Sequence, residues 1–270
     1  MVSSIQRSFR DLSNDEVADI EKASLLVRFG WQGNFGWDEI LRSERVLIVS
    51  EAGAGKTFEC QMQQKLLWDD GEPAFFLDLA TLGQSSVRAM LTTLEEARFE
   101  AWMGSQYEIG TFFLDSIDEL NLTLVKFEQA LKVFSKAIAG QLGRVRIVIT
   151  TRPVPVDRAL IERYLPITQD SEIKPTAAAF ADSVMGKNKP KTSDEAKPKA
   201  LRNVGLMPLS PGQIRAFAEL QGVGDAAALI DDIHRRDAME FAERPQDLNE
   251  LCADWREHRV RPASRFFQGL

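Results

Sequence analysis

Residues 45–57 read RVLIVSEAGAGKT, an apolar run leading into a loop that closes on Gly55, Lys56 and Thr57. These residue types suit a polyanion. A triphosphate needs several backbone N–H groups turned toward one point, and glycine lets the chain wrap that tightly because it has no Cβ. Gly53 and Gly55, on either side of Ala54, supply that freedom. Lys56 would reach the β- and γ-phosphates, Thr57 would ligate Mg2+, and the following helix would turn its positive end toward the anion. The phosphate-binding pattern G-x-x-x-x-G-K-[ST] opens on glycine, and here Ser50 holds that place. Two further stretches carry matching chemistry. Residues 111–120, TFFLDSIDEL, run apolar and then end in acids. Asp115, at the end of the run, can hold Mg2+ directly or through water opposite Thr57, since hard cations prefer oxygen ligands. Asp118 and Glu119 are placed to polarise a water attacking the γ-phosphate, with Glu119 the expected base and Asp118 its orienter or alternate. A simple acidic helix start, favoured by the helix dipole, would put carboxylates there too. Residues 144–153, RVRIVITTRP, end in two hydroxyls, Arg152 and a proline. A cation at a strand's C-terminal end faces the crevice where open α/β sheets bind ligands, so Arg152 is a candidate sensor of the γ-phosphate. A plain surface arginine in a strand-to-helix turn is the alternative.

The elements that must position these groups follow from apolar spacing. Short apolar runs at residues 46–50, 74–79, 111–115 and 146–151, with a weaker one at 165–168, alternate with helical patterns. That rhythm predicts an α/β fold with a mainly parallel sheet covered by helices. Between the runs, residues 86–103 carry Val87, Met90, Leu91, Leu94, Ala97 and Trp102 on one predicted helix face. Residues 122–139 repeat Leu124, Phe127, Leu131, Phe134 and Ile138 at three- and four-residue steps. Phe58, Met62, Leu66 and Leu67 predict a helix directly after the glycine loop. Residues 186–199, GKNKPKTSDEAKPK, contain five lysines and no large apolar side chain, the composition of a flexible insertion or linker. Beyond it the pattern turns helical. Ser210-Pro211-Gly212-Gln213 has the form of a capping box, Asp225 can cap a helix over 226–235, and 246–258 would bury Leu248, Leu251, Cys252 and Trp255.

The 270 residues, 44% hydrophobic, suffice for one large or two modest domains. A formal net charge of −7 argues against broad nucleic-acid binding, which usually shows a basic face. Cys60 and Cys252 lie far apart and outside metal-ligand spacing, so core packing is their expected role. With no signal-peptide core and no apolar stretch approaching about 18 residues, the expectation is a cytoplasmic chain without a membrane partner.

Together SEAGAGKT at 50–57, FFLDSIDEL at 112–120 and IVITTRP at 147–153 resemble the NACHT family of P-loop ATPases within the STAND class. Ser116 directly after the aspartate, followed by the acidic pair Asp118 and Glu119, carries most of that likeness. The similarity covers about 45–153 and extends more weakly to LMPLS at 206–210 and RPQDL at 244–248. The resemblance implies an ASCE-type P-loop NTPase core at 44–180, an N-terminal helical segment at 1–43 on the adenine side, an insertion at 181–203 and a helical domain at 204–270. It further implies ATP or ADP with Mg2+ as cofactors, slow hydrolysis and nucleotide-dependent homo-oligomerisation. Pro245 would lie near the base, with Phe29 and Trp37 helping to enclose it. Family members are signalling switches, in prokaryotes often antiphage, with attached effector and sensor domains. Neither is recognisable here, so the chain is expected to be a fragment of a longer protein, or to act with separate effector and sensor proteins. An AAA+-like mechanical ATPase or nucleic-acid motor and a non-hydrolysing nucleotide-binding module are the competing expectations.

Overall fold

The computed structural model describes residues 5–18, 35–115, 124–167 and 200–260. Six strands form one sheet in the order β1-β6-β2-β5-β4-β3. They are β1 Phe9–Asp11, β2 Arg45–Val49, β3 Ala74–Asp78, β4 Gly110–Asp115, β5 Val145–Thr151 and β6 Arg202–Leu206. All neighbours are parallel except β1, which runs antiparallel to β6 at the edge. The chain is therefore α/β, as the alternating runs predict, with a mostly parallel sheet.

Continuous apolar runs whose side chains point alternately to opposite faces build two cores, one on each side of the sheet. One face presents Leu47, Val49, Phe75, Leu77, Phe112 and Ile147 to a cluster completed by Phe99, Trp102, Phe127, Leu131 and Phe134. These come from α6 (Thr93–Gly104) and α7 (Leu124–Ala137). The opposite face presents Val46, Ile48, Phe113, Val148 and Val204, covered by Cys60 and Leu67 of α3 (Lys56–Asp69) and Ile40 of α2 (Trp37–Ile40). α1 is Asn14–Ala18, α4 is Leu79–Leu82, α5 is Val87–Met90 and α8 is Arg158–Tyr164.

Several expectations are corrected. Residues 165–167 form no strand; the place beside β2 is taken by β6, Arg202–Leu206, which starts inside the predicted insertion and ends inside the predicted helical domain. Arginine, asparagine and glycine hide this strand in the sequence, yet Asn203, Val204, Gly205 and Leu206 are all buried because β1 covers its outer edge. The N-terminal segment is likewise not helical throughout, since β1 belongs to it. The single helix predicted over 86–103 is two. Ser86 caps α5, and Thr92 starts α6 with a capping box to Glu95, whose carboxylate accepts the Thr92 N–H at 2.9 Å. The buried face of α6 is Phe99 and Trp102, leaving Leu94 exposed. On α3 the buried residues are Cys60 and Leu67, with Phe58 and Leu66 exposed.

After β6 the chain is helical: α9 Pro211–Leu220, α10 Ala226–Arg235, α11 Met239–Ala242 and α12 Pro245–Val260. These helices bury their own cluster of Leu209, Ile214, Ala218, Leu229, Ile233, Leu248 and Cys252. The capping box is present, with Ser210 Oγ accepting the Gln213 N–H at 3.3 Å and Gln213 Oε1 accepting the Ser210 N–H at 2.7 Å. Asp225 caps α10 through the Ala228 N–H at 2.9 Å. No described helix is long and apolar enough to cross a membrane.

Candidate functional site at the C-terminal edge of the sheet

The parallel strands all end on one side of the sheet, and that is where the chemically capable residues meet. β2 runs directly into the 50–57 loop, and the Ser50 N–H still donates to the Thr151 carbonyl at 3.1 Å, one residue past the strand. The loop bends at Gly53, φ 76°, and Gly55, φ 90°, in the left-handed region that side chains disfavour. Gly53 is also tightly approached from outside, whereas the space beside Gly55 is of ordinary van der Waals width. A Cβ on Gly53 would come within 3.3 Å of Gln246 Oε1, and one on Gly55 within 3.5 Å of Pro245 Cγ. Gly55 is the N-cap of α3, whose first residue is Lys56.

Lys56 folds back over the loop, its Nζ donating to the carbonyls of Ser50 at 2.7 Å and Glu51 at 3.0 Å. Thr57 Oγ1 donates to Asp115 Oδ2 at 2.6 Å, joining the start of α3 to the end of β4. The other carboxylate oxygen of Asp115 accepts from Thr150 Oγ1, at the end of β5. Asp115 is buried, and each of its carboxylate oxygens is held by a neighbouring hydroxyl, that of buried Thr150 and that of exposed Thr57. The residues expected to hold Mg2+, Thr57 and Asp115, are thus brought into contact. Their donor set, a hydroxyl and a carboxylate oxygen, fits a hard cation.

Register places Val49 opposite Thr151, so Arg152 leaves β5 beside the start of the loop, where it is exposed. Ser50 is 1% exposed, and its hydroxyl has no hydrogen-bond partner among the described residues. Pro245 packs on the loop at Gly55, and the Gln246 N–H donates to the Gly53 carbonyl at 3.3 Å, so the helical region reaches the loop through the first turn of α12. Trp37 belongs to the core under α3: its ring lies edge-on to Phe9 and Phe113, and Nε1 donates to Glu59 Oε2 at 3.2 Å. Ser116, Asp118, Glu119 and Phe29 lie outside the described residues.

One residue escaped the sequence reading. Arg7 is buried, donating from Nη1 to the Ala54 carbonyl at 3.0 Å and from Nη2 to the Met207 carbonyl at 2.7 Å. It therefore bridges the glycine loop and the strand-to-helix junction after β6. Burial pulls its pKa below the ordinary value, while the charge of Glu59 opposes that shift. Glu59 is raised by burial, against the lowering effects of Arg7 and the Trp37 N–H. No periodicity marks an isolated arginine in a polar N-terminal stretch, so only its tertiary neighbours reveal it. Comparison of the sequence with protein-family models finds no match, and comparison with curated proteins finds no significant one.

Proposed function

We propose that the chain binds a nucleoside triphosphate, ATP, with Mg2+ at the 50–57 loop and hydrolyses it slowly, as a P-loop signalling switch of the NACHT type within the STAND class. The observation that carries this reading is the 2.6 Å hydrogen bond from Thr57 to Asp115, which unites two motifs 58 residues apart beside Lys56. Loop, lysine, hydroxyl and carboxylate are the complement that phosphoryl transfer needs, because its catalysis is mostly positioning and charge neutralisation. Bound Mg2+ would neutralise phosphate charge, held by Thr57 and Asp115. Lys56 would give up its carbonyl partners for phosphate oxygens, and Gly53 and Gly55 would let the loop backbone approach them. In this proposal Glu119 accepts a proton from the attacking water, with Asp118 orienting it, and Arg152 senses the γ-phosphate.

Calorimetric titration with Mg2+-ATP tests the reading. Lys56→Ala is expected to weaken binding by about tenfold or more, the size of a lost charge-assisted hydrogen bond. Asp115→Asn is expected to reduce the Mg2+-dependent part of the affinity by about ten- to a hundredfold while sparing binding without the metal. Unchanged affinity in Lys56→Ala would remove the loop from the site. Nucleotide-dependent assembly with little turnover, read by light scattering beside phosphate release, is the expected behaviour of a switch. Sustained turnover stimulated by DNA or unfolded protein would instead mark a motor.

A further inference from the structure

Resting on the reading that the 50–57 loop holds a nucleoside triphosphate, we propose that Arg7 is a positioning residue of that loop: its guanidinium fixes the Ala54–Gly55 peptide plane so that the Gly55 N–H faces the phosphates. Arg7 stands just ahead of β1, and there the contact between β1 and β6 continues past the strands, the Met207 N–H donating to the Ser8 carbonyl at 3.0 Å. The Arg7 side chain is buried and spans two parts of the molecule. Nη2 donates to the Met207 carbonyl at 2.7 Å, which anchors the guanidinium to the sheet, and Nη1 donates to the Ala54 carbonyl at 3.0 Å, at the bend of the loop. The same Nη1 would lie 3.4 Å from a Cβ on Gly55, so the guanidinium rests directly against the plane it grips.

A trans peptide is planar, with its carbonyl and the next N–H pointing in opposite directions. Drawing the Ala54 carbonyl toward Arg7 therefore turns the Gly55 N–H to the opposite face of the loop. The preceding plane is held in the same manner, because the Gln246 N–H donates to the Gly53 carbonyl at 3.3 Å. Such grips matter because of the two glycines. Gly53 at φ 76° and Gly55 at φ 90° give the loop its close wrap, and the same freedom lets an unheld loop spend part of its time with its donors turned elsewhere. Ordering those donors before the anion arrives removes that cost from binding. The planar fork of arginine suits the task, since its two terminal nitrogens reach two carbonyls at once, whereas a lysine ammonium is a single point. Packing alone does not account for a guanidinium here. Its Nε is buried with no hydrogen-bond partner among the described residues, and an apolar side chain would fill the space without burying a charge.

The test measures, by calorimetry, the affinity of the full chain for Mg2+-ATP and for tripolyphosphate, which reports on the loop without the base. Arg7→Met is expected to weaken both about tenfold, the size of one well-aimed hydrogen bond to the anion. Arg7→Lys keeps one donor and recovers part of the loss. Arg45→Met removes another buried arginine from the far end of the sheet and so reads the effect of general loosening; it is expected to leave both affinities within about twofold of wild type. An Arg7→Met chain within about twofold of wild type, or an Arg45→Met chain that loses as much as Arg7→Met, overturns the proposal, and the reading of the loop stands as long as Lys56→Ala weakens both ligands. Should Arg7→Met fail to fold, Arg7→Lys decides: a loss of about threefold supports the proposal and wild-type affinity overturns it. A wild-type chain that binds neither ligand overturns the reading on which the proposal rests and the proposal with it.

Discussion

At the scale of single residues, the groups beneath the glycine loop are as informative as those within it. Lys56, Thr57 and Asp115 were legible in sequence because each belongs to a motif of fixed spacing, and the strands bring them within hydrogen-bond reach. Arg7 and Glu59 carry no such spacing. Arg7, just ahead of β1, and Glu59 of α3 feel one another's charge only because the tertiary fold brings them near, and Glu59 carries a pH signature. Burial raises the Glu59 carboxyl above its ordinary 4.5, so between that value and its folded pKa the native state holds the extra proton. The stability this group contributes is fully present below pH 4.5 and is lost as pH rises through the folded pKa. Glu59→Gln keeps an acceptor for the Trp37 N–H and removes that loss. Urea unfolding from pH 4 upward is expected to give a flatter stability profile for the variant, and parallel profiles would refute the assignment. Cys60, buried beside Glu59 with its thiol pushed well above the usual range by desolvation, should stay unreactive to alkylation until the chain unfolds.

At the scale of elements, local patterning foretold β2, β3, β4 and β5, because continuous apolar runs are the mark of strands buried on both faces. It failed where burial comes from a neighbour instead of from composition. β6 is buried through β1 on its outer edge, and β1 itself is held by Arg202, whose guanidinium meets Asp11 at 2.6 Å. The helix expected over 86–103 breaks because Thr92 offers its N–H and hydroxyl to Glu95, and that capping contact outweighs a continuous apolar stripe. The position of β4 depends on one glycine. A Cβ on Gly110 would lie 2.6 Å from the indole of Trp102, a fully buried ring whose Nε1 donates to the Glu108 carbonyl at 3.2 Å. Gly110→Ala is expected to cost about 2 kcal/mol in denaturant unfolding, in the range for overpacked cores. Because β4 ends in Asp115, the same substitution should also weaken the Mg2+-dependent nucleotide binding proposed above. A variant as stable as wild type would show that the ring moves freely.

At the scale of the whole molecule, two arginines hold opposite ends of the sheet. Arg7 joins the loop end to the helical region. Arg45 closes the other end: it is buried, and its guanidinium donates to the carbonyls of Glu44, Leu142, Val145, Leu165 and Pro166. Desolvation lowers its pKa to about 10, which leaves it charged at neutral pH. Arg45→Met strips the donor from carbonyls that no water can reach easily and is expected to cost about 3 kcal/mol or more, read as a lower urea midpoint with an unchanged m value. A smaller loss would mean that the loops after α7 and α8 find other donors.

The sequence by itself determined the α/β rhythm, the glycine loop with its lysine and threonine, the aspartate at the end of β4 and the caps of the later helices. Each is a local matter of spacing, φ freedom or a side chain reaching its own backbone. Only the tertiary structure decided that β6 lies between β1 and β2, that Thr57 and Thr150 share the Asp115 carboxylate, and that Pro245, Gln246 and Arg7 close on the loop. Those contacts join residues far apart in the chain through burial and shared hydrogen bonds, and neither leaves a periodic trace in the residues that make them.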